Sequence, residues 1–130
     1  MIRLCGEAGR VQIELKCIEM GSDICVVIIG GDRPHLGATA LVQVRPSMIN
    51  PNVWSSSVSV LTLLGHKEDK LAYKAADQLA TTLGKNVVVS CGIHLDMITE
   101  EEIVQTESLV EKLVEELVGL LKCDIVPIIS

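Results

Sequence analysis

The chain has no phenylalanine, one tryptophan (Trp54) and one tyrosine (Tyr73) in 130 residues. A core without aromatic rings has to be filled by Val, Ile, Leu and Ala, and so many β-branched residues favour strands. There is no basic excess either. Eleven Lys and Arg stand against 17 Asp and Glu, a net charge of −6. That argues against bulk nucleic-acid binding and against adhesion to anionic membranes, both of which need a basic face. The longest apolar run, Ile24 to Ile29, is far too short to span a bilayer. Met1 to Arg10 contains Arg3, Cys5, Glu7 and two glycines and lacks the apolar stretch of a secretory signal. No CxxC, HxH, HExxH, GxSxG or phosphate-loop pattern occurs, so there is no ready metal, hydrolase or nucleotide signature.

What is present points to one α+β domain spanning 1–130, with a core over about 10–122 and a C-terminal tail or edge strand at 123–130. Hydrophobic residues make up 48%, ample for a single core and enough for some apolar surface to be buried between subunits. The acid is uneven: seven of the 17 acidic residues lie between Glu100 and Glu116. The five cysteines are an odd number, and Cys17, Cys25 and Cys91 fall in apolar strand-like runs. They are expected to be reduced core thiols of a cytoplasmic protein.

Alternation of Val11, Ile13, Leu15 and Cys17 with Gln12, Glu14 and Lys16 predicts a strand with one wet face. Gly21-Ser22-Asp23 predicts a turn, and the apolar run Ile24 to Ile29 a central strand. Further strands are expected over Ala38 to Arg45, Ser57 to Leu64 and Asn86 to Cys91, the last able to run on to Met97 because Ile93, Leu95 and Met97 share a face. Leu71, Ala72, Ala75, Ala76, Leu79, Ala80 and Leu83 form a helical stripe ended by Gly84. Thr99 and Glu102 form a capping box before a long helix whose inward residues are Ile103, Val110, Leu113, Val114, Leu117 and Leu121. The expected order is β-β-β-β-α-β-α: a mostly antiparallel sheet of five to six strands, two helices on one face. Ile125 to Ile129 is a short edge strand or an arm, because Pro127 bars a central position.

Strand direction locates the candidate site. If hairpin-type reversals join the second, third and fourth predicted strands, the second and fourth run the same way, and the helical crossover gives the fifth that direction too. The segments Gly30 to Gly37, Gly65 to Asp69 and Gly92 to Thr99 then leave one edge of the sheet, carrying His35, His66 and His94. Both helices begin there, and a helix N-terminus is a seat for phosphate or carboxylate. Gly30, Gly31, Gly37, Gly65 and Gly92 permit close approach of a ligand to the backbone, and Arg33 and Lys67 add positive charge beside Asp32. On a strand His94 and Asp96 share a face, which suits an Asp that orients a His and equally a structural hydrogen bond. His35 and His66 have bland readings as a turn cap and a helix cap. Glu68, Asp69 and Glu100 to Glu102 are what any helix N-terminus attracts. A small metal-dependent or acid–base enzyme built on the three histidines is the least favoured reading.

Three blocks, Gly30-Gly31-Asp32-Arg33-Pro34-His35-Leu36-Gly37-Ala38, Ser57 through Asp69, and Gly92-Ile93-His94-Leu95-Asp96-Met97-Ile98-Thr99, resemble the prenylated-flavin chaperone-like family that includes the D subunit of gallate decarboxylase. The resemblance covers roughly residues 10–120. It implies a fold similar to the proteasome assembly chaperones, small α+β proteins that act as dimers. It also implies a non-catalytic helper that binds or delivers prenylated flavin mononucleotide, or FMN itself, or that assists maturation of a decarboxylase. On that reading the flavin phosphate rests on a helix N-terminus and the glycine loops with Arg33 or Lys67, and His35, His66 and His94 line the cleft. The alternative is a cofactor-free, dimeric assembly chaperone that uses the apolar sheet face and the tail.

Overall fold

The computed structural model describes residues 1–63 and 68–124, with side chains through 122. Eight elements follow in order: β1 (Ile2–Ala8), β2 (Val11–Met20), β3 (Asp23–Gly31), β4 (Ala38–Pro46), β5 (Trp54–Thr62), α1 (Asp69–Leu83), β6 (Val87–His94) and α2 (Glu100–Asp124). The α+β class and the mostly antiparallel sheet are as expected. The order differs by one strand, because the chain opens with β1. Its inward positions are Ile2, Leu4, Gly6 and Ala8, and the last two are too small to carry the alternation on. Gly6 lies under α2, where an added Cβ would stand 3.2 Å from Leu109 Cδ2. The predicted strand end at Leu64 and the tail at Ile125 to Ile129 lie outside the described residues.

The six strands lie in the order β1-β2-β3-β6-β4-β5. Tight turns at Gly9-Arg10 and Gly21-Ser22 join β1, β2 and β3 as an antiparallel meander. β4 and β5 pair antiparallel, and β6 lies between β3 and β4, parallel to β3 and antiparallel to β4. The predicted directions of β3, β5 and β6 therefore agree with the structure. The expected adjacency does not: β3 and β4 are consecutive in the chain but are separated by β6.

One face of this sheet is the core. The register aligns Leu15 with Ile28, Ile28 with Cys91, and Cys91 with Ala38, so buried positions of four strands form one continuous apolar surface. α1 covers β4, β5 and β6, and α2 covers β1 and β2. Ala72, Ala75, Ala76, Leu79 and Ala80 are the buried stripe of α1; the small alanines bring the helix close to the sheet. Gly84 caps it with φ +64 and donates its N–H to Ala80 O at 2.8 Å. Trp54 packs there: a Cβ on Gly84 would lie 2.5 Å from its indole. In α2, Val110, Leu113, Val114, Leu117 and Leu121 are buried as expected, whereas Ile103 is 44% exposed. The capping box forms in both directions, Thr99 N–H to Glu102 Oε1 at 3.0 Å and Glu102 N–H to Thr99 Oγ1 at 3.1 Å.

Among the described residues no helix covers the opposite face. Its centre holds Cys25, Val27 and Ile29 of β3, Val88 and Ser90 of β6, and Thr39 and Leu41 of β4. Cys25 is therefore half-buried on this open face, not in the core; Cys17 and Cys91 are core residues.

Candidate functional site

Because β6 separates β3 from β4, the segment 32–37 has to pass over the end of β6. Asp32 N–H donates to His94 O at 2.7 Å and Gly37 N–H donates to Cys91 O at 2.9 Å. These bonds press the segment onto the strand. A Cβ at Gly92 would stand 1.3 Å from His35 O, and one at Gly37 would stand 2.4 Å from Glu68 Oε2. Gly31 turns the chain with φ +80, and a side chain there would strike His94 O at 2.0 Å. Glycine is thus required at 31 and 92 by the crossing itself, and at 37 it leaves room for the Glu68 carboxylate. At Gly30 a Cβ would meet Gln12 O at 2.2 Å.

The crossing places His35 and His94 with ring centroids 6.0 Å apart, edge to face. Each histidine has a carboxylate. His35 Nε2 lies 3.3 Å from Glu68 Oε1, on a side chain that is almost wholly buried and that also accepts the Ile93 N–H at 3.4 Å. His94 Nε2 lies 2.9 Å from Asp96 Oδ1, and Arg33 Nη2 lies 2.9 Å from the same oxygen. Arg33 Nη2 is also 3.3 Å from His94 Nε2. A ring nitrogen that donates to Asp96 has no lone pair for Arg33, so that last contact is not a second hydrogen bond. The His94 hydrogen bond, with Arg33 beside it, holds the Asp96 carboxyl below the ordinary carboxylate range.

A second network anchors this edge. Asp96 N–H donates to Asp32 Oδ2 at 3.0 Å, which faces Arg10 Nη1 at 3.7 Å. Arg10 donates to Asp96 O at 2.6 Å, and its Nε lies 2.5 Å from Glu102 Oε2. Burial raises the Cys91 thiol to about 12 and the Cys17 thiol to about 11, so neither is a thiolate near neutral pH.

Of the expected site residues, Gly30, Gly31, Asp32, Arg33, His35, Gly37, His94 and Asp96 converge on this edge. Gly65, His66 and Lys67 lie outside the described residues. Arg10, Glu68 and Glu102 join the site without having been singled out. Arg10 sits in a turn with no local signal, and the two glutamates looked like ordinary helix-start acids. Among the described residues, no group of three or more His, Cys, Asp or Glu is placed to hold a metal ion.

Beside His94 a cleft of about 760 Å³ opens between α1 and α2, its floor including Leu71, Ala75, Ile93, Val110 and Val114. That volume is within the ~300–1,000 Å³ typical of small-molecule sites. A shallower hollow of about 520 Å³ lies on the open sheet face, around Arg3, Cys5, Gln12 and Gly30.

The Arg10 hydrogen bond, helped by the Thr99 backbone N–H, holds Glu102 down at about 2 against an ordinary 4.5. A depressed folded-state value contributes stability that is complete above the ordinary value and is lost as pH falls from there through about 2. Arg10→Ala is therefore expected to move the Glu102 midpoint up toward 4.5 in a carboxyl-carbon NMR titration and to weaken the acid limb of the stability curve. An unmoved midpoint contradicts the assignment.

Three comparisons bear on this geometry. No curated protein matches the chain. A solved structure, the crystal structure of a novel chaperone complex for yeast 20S proteasome assembly, is similar over 95% of each chain at 16% identity and a TM-score of 0.51; at that identity the likeness is one of fold. The pattern that defines the prenylated flavin chaperone LpdD-like domain matches residues 7–122. The chain therefore belongs to the prenylated flavin chaperone LpdD-like family.

Proposed function

We propose that the chain is a non-catalytic accessory protein that binds prenylated FMN at the His35–His94 edge and delivers it to, or matures, a decarboxylase that uses it. The observation that carries this reading is the crossing of 32–37 over β6, which collects two histidines, Arg33 and exposed backbone in a chain of this family. The first turn of α1 opens at this edge, and its N–H groups would receive the phosphate. The start of α2 is less suited, since its capping box and Glu102 already satisfy it. Trp54 packs on Gly84 at the far end of α1, and among the described residues His35 and His94 are the rings of this edge, against which an isoalloxazine would lie. Arg33, 72% exposed at its side chain, is free to turn from Asp96 to a phosphate. No helix among the described residues is long and apolar enough to cross a membrane, and the reading places the protein in the reducing cytoplasm.

The test is titration of the purified chain with prenylated FMN and with FMN, followed by flavin fluorescence. Saturable binding at tens of micromolar or below is expected, weakened about tenfold by His35→Ala, a loss of ~1.4 kcal/mol. No saturable binding of either flavin overturns the reading.

The open sheet face favours a second reading, that the protein works as a dimeric assembly chaperone for a partner protein, with or without a flavin. Six strands ~4.8 Å apart and about seven residues long at ~3.4 Å each present ~700 Å², close to the ~800 Å² per partner of a standard interface. The charged strand residues of this face are Arg3, Lys16 and Arg45 against Glu7, Glu14 and Asp23, so it is neutral in a chain of net charge −6. Two copies can pair there without the repulsion their helical sides would impose. A dimer is expected by light scattering, and Val27→Asp, at the centre of the face, is expected to yield a folded monomer. A monomeric parent chain, or a variant that stays dimeric, contradicts this pairing.

A further inference from the structure

The cleft between α1 and α2 has a feature that neither reading uses. Both helices start at the same edge, α1 after β5 and α2 after β6, and run down the sheet together. Lys70 and Lys74, one turn apart, stand on one rim; Glu107 and Glu111, one turn apart, stand on the other. Among the described residues none of these four forms an ion pair, across the cleft or elsewhere. Between the rims the floor is apolar. Ile98, Ile103 and Val104 at the mouth are 41, 44 and 60% exposed, a cluster of large apolar side chains that calls for a cover.

The charges decide what kind of occupant fits. Between the rims, away from the helix starts, a dianionic ligand would meet Lys70 and Lys74 but also Glu107 and Glu111: two ammonium groups against two carboxylates, with no net attraction. An uncharged small molecule would fill the floor and leave both charge rows unused. An amphipathic helix satisfies the floor with its apolar stripe and the two rims with flanks of opposite sign, the helix-in-groove mode of recognition.

We propose that the α1–α2 cleft receives an amphipathic helix of a partner protein, acidic on the flank facing Lys70 and Lys74 and basic on the flank facing Glu107 and Glu111. This docking surface adjoins the flavin edge at Glu68, Ile93 and His94 and is separate from the open sheet face; it does not depend on flavin binding.

The test uses the full chain, isotopically labelled, and three synthetic helical peptides of about 18 residues, or five turns. All share a leucine stripe and differ in their flanks: one acidic and one basic, both acidic, or both basic. The mixed peptide is expected to shift the amides of 70–78 and 103–114 and to bind at least about tenfold tighter than the doubly acidic one. In a chain carrying both Glu107→Lys and Glu111→Lys, the doubly acidic peptide is expected to become the tightest. These positions are exposed, and an unchanged amide spectrum outside the cleft verifies the variant's fold. Equal binding of the three peptides, or shifts confined to the open sheet face, would each overturn the proposal. Flavin binding that survives such a result leaves the flavin reading standing.

Discussion

Backbone hydrogen bonds along the parallel pair of β3 and β6 hold the site together. Their register runs from Ile24 with Val87 to Gly31 with His94, and it fills the place beside β3 that β4 would otherwise take. The segment 32–37 must then reach β4 by crossing the end of β6. Once it crosses, the rest follows by contact: glycine where backbone passes over backbone, His35 set down beside His94, Glu68 enclosed beneath the crossing. A site of this kind is rigid because strand pairing fixes it. Removing the β6 insertion would leave the same side chains on separate loops.

The division of the sheet into two unlike faces has an equally simple origin. β-strand side chains alternate, and both helices follow strands that end at the same edge, so they pack on one side. The acidic residues of α2 then point to solvent on that side, while the centre of the open face keeps small, neutral and β-branched residues, with charges of both signs towards its margins. Under the proposed function this separation gives protein pairing and flavin binding different parts of the sheet.

Much of the architecture was legible locally. The helical stripe from Ala72 to Ala80, the Gly84 stop and the Thr99–Glu102 capping box are signals within a few residues, and each is found where the spacing puts it. Strand directions were legible too, since they follow from counting reversals. Strand neighbours were not: alternation says that Val87 to Val89 belongs to a sheet and nothing about which strands flank it. The contacts that assemble the site share this limit. His35 over Gly92 and Arg10 on Glu102 join residues remote in sequence, with no local pattern to announce them. Glu68 was discounted because an acid at a helix start is ordinary; only burial distinguishes it. β1 was missed because Gly6 and Ala8, pressed by α2, weaken its alternation.

The scarcity of aromatic residues makes the central claim easy to measure. With one Trp, one Tyr, no Phe and three His, the aromatic proton spectrum is sparse enough to assign each imidazole. The account predicts a nuclear Overhauser cross-peak between the ring protons of His35 and His94, whose centroids lie 6.0 Å apart. Assigned His35 and His94 rings with no cross-peak between them would mean that the segment 32–37 does not cross β6, and the proposed edge site would be lost.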